Sequence, residues 1–187
     1  MTHYFAAIPI PFELVNEKLT ATSLHYDLPS HYKVIPHPDD LHVTLLFFGG
    51  LNSSQLALVK QEMQLVATST DTFSIALNGI SFFGNPAGPR VVYLSVQQNC
   101  QLNGLYQHLS DRLESILQKP ATLGYTPHVT IAKKKKDDRS VPIEQEQFEP
   151  LALDVSEVIL YSIAPTKSPK YSPEYTFSFG HSSSIDD

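Results

Sequence analysis

Cysteine is almost absent from this sequence, since its 187 residues include one, Cys100. A single cysteine excludes an intrachain disulfide framework and leaves no cysteine cluster for zinc, so Cys100 is interpreted as a helix-start or core residue. Long apolar runs are also missing, because none approaches the ~18 residues of a membrane span. Residues 1–8 lack the basic n-region of a signal peptide. We therefore expect no membrane segment and a soluble, cytoplasmic protein.

Positive charge is scarce, since 13 lysines and arginines face 19 aspartates and glutamates, giving a formal net charge of −6. This balance argues against non-specific binding along a nucleic-acid duplex, which draws its affinity from many phosphate contacts. It does not exclude a small anionic substrate, because the local charge in a cleft can oppose the global sign. The sequence also lacks a Gly-x-x-x-x-Gly-Lys-Ser/Thr loop, which argues against ATP-driven ligation.

The length and composition fit one folded unit, with 42% hydrophobic and 17% charged residues. We expect residues 1–180 to form a single domain of two closely joined lobes with a continuous core. The polar segment 181–187 has no apolar period, so we expect a disordered tail. A monomer is the default expectation.

Hydrophobic periodicity predicts an alternation of strands and helices. Helices are predicted at 11–19, from residue 53 to 66, and at 103–117, where apolar residues recur every three or four positions. Strands are predicted at 4–9, 32–35, 41–48, 71–83, 90–96, 128–133, 153–163 and 175–179, with a turn-rich hairpin linker at 84–89. Repeated hairpin-like neighbours favour an α+β fold over a doubly wound parallel sheet.

Two short segments of the chain resemble each other. One is Leu-His-Val-Thr-Leu at 41–45, and the other is Pro-His-Val-Thr-Ile at 127–131. A single His-x-Thr triplet carries little weight, because threonine is common in strands. Two copies with matching apolar flanks imply a symmetric architecture, so we expect their strands to lie side by side across a pseudo-twofold cleft.

The chemistry of these segments rests on four polar side chains. Because side chains alternate along a strand, His42 and Thr44 share one face, as do His128 and Thr130. Two histidines, each with an unperturbed pKa of about 6.5, can divide the roles of acid and base. The threonine hydroxyls can donate hydrogen bonds to the non-bridging oxygens of a phosphate. This set suits phosphodiester hydrolysis without a metal or other cofactor.

These segments resemble the two-histidine (2H) phosphoesterase superfamily, in particular the RNA 2′,3′-cyclic phosphodiesterase (2′-5′ RNA ligase-like) family. The resemblance covers most of the chain and is carried by residues 4–9, 42–49, 90–94 and 125–133. It implies an α+β fold of two pseudo-symmetric lobes, with antiparallel sheets around a central groove and helices outside.

The resemblance also implies the roles of the two histidines. His42 would be the proton donor and His128 the proton acceptor in hydrolysis of an RNA 2′,3′-cyclic phosphate end. The implied product is a 2′-phosphomonoester, and the implied partner is an RNA 3′ end or a small cyclic nucleotide. Many relatives have arginine where this chain has Lys133, and lysine lacks the bidentate fork that arginine offers to phosphate.

Four further residues are candidates for substrate binding. Lys133 and Arg90 are candidates for phosphate contact, although Arg90 has the alternative role of closing a hairpin. Tyr125 and Phe48 are candidates for stacking on a base, since the relatives' tryptophan is absent and the chain contains none. The run 133–136 is all lysine, of which the last two are interpreted as a solvated strand end.

Other functions stay open on the sequence alone. One is a 2H phosphoesterase for another substrate, such as a cyclic phosphate of ADP-ribose or a 2′-5′ oligoadenylate. Another is a non-catalytic nucleotide- or RNA-binding module, against which the intact histidines and threonines speak. The segment His-Pro-Asp-Asp at 37–40 has metal-ligating residue types but no metal-binding spacing, and we interpret it as loop.

Overall fold

The computed structural model describes residues 1–118 and 124–180. These residues contain nine strands and four helices. The strands are β1 (His3–Pro9), β2 (Tyr32–Val34), β3 (His42–Gly50), β4 (Phe73–Phe83), β5 (Val91–Val96), β6 (His128–Lys135), β7 (Glu146–Val155), β8 (Glu157–Ile163) and β9 (Tyr171–Ser178). The helices are α1 (Phe12–His25), α2 (Leu28–His31), α3 (Ser53–Thr68) and α4 (Cys100–Leu117), and a 3₁₀ turn spans Pro38–Asp40. The tail expected over 181–187 lies outside the described residues.

The long helices begin where local chemistry favours it. Asn52 caps α3 through a reciprocal pair of hydrogen bonds with Gln55, in which each side chain accepts from the other's backbone N–H. Asn99 caps α4 by accepting from the backbone N–H of Leu102. Cys100 is therefore a helix-start residue, as the sequence indicated, and its side chain is exposed.

The strands form one antiparallel sheet in the order β7-β4-β5-β6-β3-β1-β8-β9, and β2 pairs with β6 outside this path. Two halves of four strands, β3-β1-β8-β9 and β6-β5-β4-β7, are joined where Val43 pairs with Val129. Each histidine-bearing strand is the innermost of its half. The expected α+β fold with antiparallel sheets is confirmed, and the sheets of the two halves are continuous.

The main core lies on one face of this sheet. Alternation along β1 separates two clusters, since Ala6 and Ile8 join the main core with residues of α1, α3 and α4, whereas Phe5 lies in a smaller cluster on the other side. Val43 and Val129 are fully buried in the main core. The residues next to them in β3 and β6 therefore face away from it. In the described residues, no helix is long and apolar enough to cross a membrane.

The strand predicted at 153–163 was wrong, because this segment belongs to two strands, β7 and β8, which are separated at Ser156. The segment 146–152, at the start of β7, was missed. Since β7 lies at the edge of the sheet, most of its side chains are exposed or half-buried, and it tolerates Pro150. Hydrophobicity therefore gave little signal there.

Candidate active site

The pairing of β3 with β6 brings the four predicted polar side chains together. Because the strands are antiparallel and Val43 pairs with Val129, His42 lies across from Thr130, and Thr44 lies across from His128. Directly opposite side chains on one face have Cβ atoms about 4.5–5.5 Å apart. All four are half-buried. The two segments that resemble each other in sequence thus form one polar cluster at the junction of the two halves.

Both imidazoles are held by the same backbone hydrogen bond. The Nδ1 atom of His42 lies 2.7 Å from the carbonyl oxygen of Asp40, and Nδ1 of His128 lies 2.7 Å from that of Thr126. A carbonyl oxygen only accepts, so each Nδ1 carries a proton and each neutral ring presents Nε2 as an acceptor. In His42, Nε2 accepts from the Thr44 hydroxyl at 3.0 Å.

Aromatic rings pack against both histidines and restrict their rotation. Their centroids lie 4.9–6.4 Å from the imidazole centroids. The rings around His42 are Phe5, Tyr161 and Tyr171, and those around His128 are Phe83 and Tyr93. Four of these rings, Phe5, Tyr93, Tyr161 and Tyr171, were not predicted as site residues, because an aromatic residue in a strand is most often core.

Burial sets the protonation of the site. The pKa of His42 is lowered to about 4. Burial is the largest cause, the positive charge of Lys133 adds to it, and the hydrogen bond to the Asp40 carbonyl opposes it. Burial also lowers the pKa of His128. The charge of Lys133 adds to this shift, and the hydrogen bond to the Thr126 carbonyl opposes it. Both imidazoles are therefore neutral near pH 7 in the free protein, a state suited to accepting a proton.

Two cavities meet at Thr44, which lines both. One, of about 520 Å³, contains His128 and is walled largely by apolar and aromatic side chains of β3, α4 and the loop before β6. The other, of about 490 Å³, contains His42 and Thr130, and four lysines are among the residues that line it. The first has the character of a site for an aromatic group, and the second that of a site for an anion.

Two of the four predicted substrate contacts line these cavities. Tyr125 lines the aromatic cavity, where its hydroxyl donates to the carbonyl of Thr44 at 3.0 Å and its ring stacks on Tyr106 at 4.1 Å. Burial raises the pKa of the Tyr125 hydroxyl, so it stays a donor. Lys133 lines the lysine cavity beside Thr130, and burial lowers its pKa.

Phe48 was wrongly predicted to contact the substrate. Its side chain is 3% exposed and lies in the main core. An irregularity in the pairing of β1 with β3, where Ala6 pairs with Leu46 but Ala7 pairs with Thr44, shifts the alternation of β3 by one residue. Phe48 therefore faces the core, while Phe47 is 46% exposed and lines the aromatic cavity.

Arg90 closes a hairpin, which is one of its two predicted roles, the other being phosphate contact. Its backbone N–H donates to the carbonyl of Phe83 at 3.0 Å, and its own carbonyl accepts from the N–H of Lys134 at 3.1 Å. The backbone thus closes the β4–β5 hairpin and ties it to β6. The side chain is exposed and is not among the described residues that line either cavity.

The role of Asp40, in a segment interpreted as loop, was not predicted from the sequence. Its carboxylate is 7% exposed and accepts the backbone N–H groups of Lys170 and Tyr171 at 2.8–3.0 Å. His37, three residues earlier, instead accepts from the N–H of Asp39. Within residues 1–118 and 124–180, no three His, Cys, Asp or Glu side chains group as metal ligands. Asp40 thus fixes the β8–β9 loop beside His42.

Comparison with known proteins shows the family of this chain. Residues 17–166 match the model of the 2′-5′ RNA ligase superfamily. A Bacillus subtilis relative named RNA 2′,3′-cyclic phosphodiesterase is 30% identical over 179 residues, covering 94% of this chain and 95% of the relative. A relative of the same name from Geobacillus stearothermophilus is 28% identical over 173 residues, but this chain spans 55% of its length and the match covers 91% of this chain.

Solved structures share the fold. An Escherichia coli LigT structure in complex with 3′-AMP has a TM-score of 0.76 at 18% identity, covering 95% of this chain and 98% of LigT. A Thermus thermophilus protein has the same TM-score at 24% identity, covering 96% of this chain and 99% of that protein.

Proposed function

Because this chain belongs to the 2′-5′ RNA ligase superfamily, we propose that it hydrolyses RNA 2′,3′-cyclic phosphate ends to 2′-phosphomonoesters. The family and the names of the relatives support a phosphodiesterase. The observation that carries the finer proposal is the polar cluster at the β3–β6 junction. There each histidine is fixed through Nδ1, so Nε2 is the atom that can exchange a proton with a substrate, which in His42 displaces the Thr44 hydroxyl from it.

In the proposed reaction, the cyclic phosphate lies between the two imidazoles. Nε2 of His128 takes a proton from water, and the water oxygen forms a bond to phosphorus in line with the 3′ oxygen. The bond from phosphorus to the 3′ oxygen breaks, and that oxygen takes a proton from Nε2 of His42. The cyclic diester thus becomes a 2′-phosphomonoester and a free 3′ hydroxyl. The assignment of His42 as donor and His128 as acceptor follows the family resemblance.

The threonines supply fixed hydrogen-bond donors in this scheme. Thr44 and Thr130 lie on the same face as the histidines, one beside each imidazole. Once His42 is protonated, its Nε2 no longer accepts from the Thr44 hydroxyl. Both threonine hydroxyls then donate to the non-bridging oxygens of phosphorus, where negative charge grows during attack. Donors that need no reorganisation at the moment of reaction are a large source of rate enhancement.

His42 can donate a proton only if its imidazole is protonated when the substrate is bound. His42, with a pKa of about 4 in the free protein, is neutral at pH 7. An anionic phosphate beside the ring favours the charged form and raises this pKa. Binding of the substrate is therefore coupled to uptake of the proton that His42 later donates.

The two cavities give the substrate an orientation. The aromatic cavity offers the Tyr125 and Phe83 rings to the terminal base, next to His128. Stacking of a base on such rings contributes about 1–3 kcal/mol without reading the base identity. The ribose then lies over Thr44, and the lysine cavity receives the charged part of the substrate.

The test is hydrolysis in EDTA of an oligoribonucleotide that ends in a 2′,3′-cyclic phosphate, with the position of the product phosphate determined by phosphorus NMR. An ADP-ribose cyclic phosphate and a 2′-5′ oligoadenylate are assayed in parallel. We expect the RNA end to be preferred and a 2′-phosphate to form. Preference for either alternative substrate would reassign the chain within the superfamily, and binding without turnover of any would indicate a non-catalytic module.

A further inference from the structure

The cavity beside His42 carries a concentration of positive charge that the reaction at one phosphate does not require. Four lysines line it, namely Lys133, Lys134, Lys167 and Lys170. The only carboxylate among the described residues that line it is Asp40, whose oxygens already accept backbone N–H groups. This local excess stands in a chain whose net charge is −6.

Two of these lysines reach the cavity through an irregular backbone. Consecutive residues of a regular strand face opposite sides, yet Lys133 and Lys134 both line the cavity. Lys134 has φ of +62°, in the left-handed region, and its N–H donates to the carbonyl of Arg90. A lysine rarely adopts this conformation, and residues held in it cluster at functional sites.

The other two lysines are brought in by the β8–β9 loop. The Asp40 carboxylate accepts the backbone N–H of Lys170, and Lys170 Nζ lies 5.8 Å from the centre of the Tyr171 ring. That ring in turn packs against the imidazole of His42 at 5.1 Å. A continuous set of contacts thus ties this part of the lysine cavity to the reaction centre.

The positive charges in the cavity act on one another. Burial lowers the pKa of Lys133, the nearby charges of Lys170 and Lys134 lower it further, and the charge of Asp40 opposes the shift only in part. Like charges held close together without enough carboxylates favour the binding of an anion, because the anion relieves their repulsion. His42 and Thr130 line the same cavity as the four lysines, so a phosphate held at the histidines shares this cavity with them.

We propose that Lys134, Lys167 and Lys170 form a second phosphate subsite, which binds the phosphate on the 5′ oxygen of the terminal ribose. This inference rests on the proposed function, which places the 2′,3′-cyclic phosphate between His42 and His128. The terminal ribose then spans the short distance between the two phosphates. Every RNA chain carries this 5′ phosphate as its last internucleotide link, whereas a nucleoside 2′,3′-cyclic phosphate lacks it. The subsite therefore selects RNA ends over nucleoside cyclic phosphates.

The test compares binding of adenosine 2′-monophosphate with that of adenosine 2′,5′-bisphosphate, by isothermal titration calorimetry at low salt. The wild type should bind the bisphosphate at least roughly tenfold more tightly, as expected for one or more charge-assisted hydrogen bonds. In a Lys167→Gln/Lys170→Gln variant this preference should fall below about threefold, with little change for the monophosphate. The preference should also weaken with salt.

The matched control is a Lys18→Gln/Lys60→Gln variant, which removes the same charge from helices α1 and α3 and should keep the wild-type preference. No preference in the wild type, or an unchanged preference in the Lys167/Lys170 variant, would overturn the subsite. Turnover of an oligoribonucleotide that ends in a 2′,3′-cyclic phosphate is measured separately with the wild type. Its absence would refute the proposed function, while the binding preference still decides the subsite.

Discussion

The two histidine segments share a sequence pattern and a backbone hydrogen bond but lie in different surroundings. His42 packs among three aromatic rings and opens onto the lysine cavity, beside a loop that the Asp40 carboxylate holds. His128 opens onto the aromatic cavity, beside a loop that Tyr125 holds through a neutral hydroxyl. The same local structure therefore presents Nε2 in two environments of different polarity.

This difference shows how a symmetric frame can serve an asymmetric substrate. A terminal nucleotide has an apolar, flat base and a charged sugar–phosphate, and the two cavities match these two parts. In the proposed reaction, the strands supply the symmetric acid and base, while the elements packed around them supply the asymmetry. Mutations that act on one half alone can test this division.

Replacement of either histidine should have the largest effect. His42→Ala and His128→Ala should each lower kcat on the cyclic phosphate by roughly 10²–10⁴-fold, the usual contribution of a positioned acid or base. The double variant should be little worse than either single one, because the two act in one step. Binding of adenosine 2′-monophosphate and thermal unfolding serve as controls. Near wild-type turnover in one single variant would break the equivalence of the two halves.

Removal of a threonine hydroxyl should come next. Thr44→Val and Thr130→Val should each lower kcat by roughly 10²-fold, as for loss of one preorganised donor. Thr44→Val should be the more severe, since the Thr44 hydroxyl also holds the His42 ring through Nε2 in the free protein. The Thr→Ser variants keep the hydroxyl and are the controls. An effect confined to KM would show that the hydroxyls bind the substrate without stabilising the transition state.

The pH profile should reveal the lowered pKa values of both histidines. The reaction needs one protonated and one neutral imidazole, and both pKa values in the free protein lie below 6.5. The maximum of kcat/KM should therefore lie below pH 6.5, with a roughly tenfold decrease per pH unit well above it. Lys133→Gln removes a charge that lowers both pKa values, so it should move the maximum to higher pH. A maximum above about pH 7.5 in the wild type would contradict this assignment.

Loss of the Asp40 carboxylate should destabilise the His42 half. Asp40→Ala leaves the N–H groups of Lys170 and Tyr171 without their buried acceptor, so the free energy of unfolding should fall by about 2–3 kcal/mol. Denaturant unfolding measures this. Asp39→Ala, at an exposed neighbouring position, should change stability by less than about 0.5 kcal/mol. Equal effects of the two variants would show that the carboxylate does not hold the loop.

The smallest effect should be found in the corresponding contact of the His128 half. Tyr125→Phe removes one neutral hydrogen bond to the Thr44 carbonyl but keeps the stack on Tyr106, which should cost about 1 kcal/mol of stability. The exposed Tyr175→Phe is the control for loss of a hydroxyl. A loss from Tyr125→Phe that matched the loss from Asp40→Ala would contradict the difference drawn between a neutral and a charged support.

Much of the site could be predicted because its signals are local. The period of two along a strand placed His42 with Thr44 and His128 with Thr130, and the resemblance between the segments predicted that their strands would be neighbours. Most of α3 and α4, the first part of α1 and the β4–β5 hairpin were likewise predicted from periodicity and turn residues, whereas the short helix α2 was not. The edge strand β7 was only partly found, since a mostly exposed strand has little apolar pattern.

The sequence by itself therefore determined the four polar residues of the candidate site, their shared face and the α+β class, because alternation and periodicity act over a few residues. Only the tertiary structure decided which cavity each histidine faces. Because of the irregular pairing of β3, the side chain of Phe48 faces the core. The Asp40 carboxylate accepts a backbone N–H from a loop 130 residues further along the chain. Such contacts depend on where distant segments pack, and packing of that range leaves no period in the sequence.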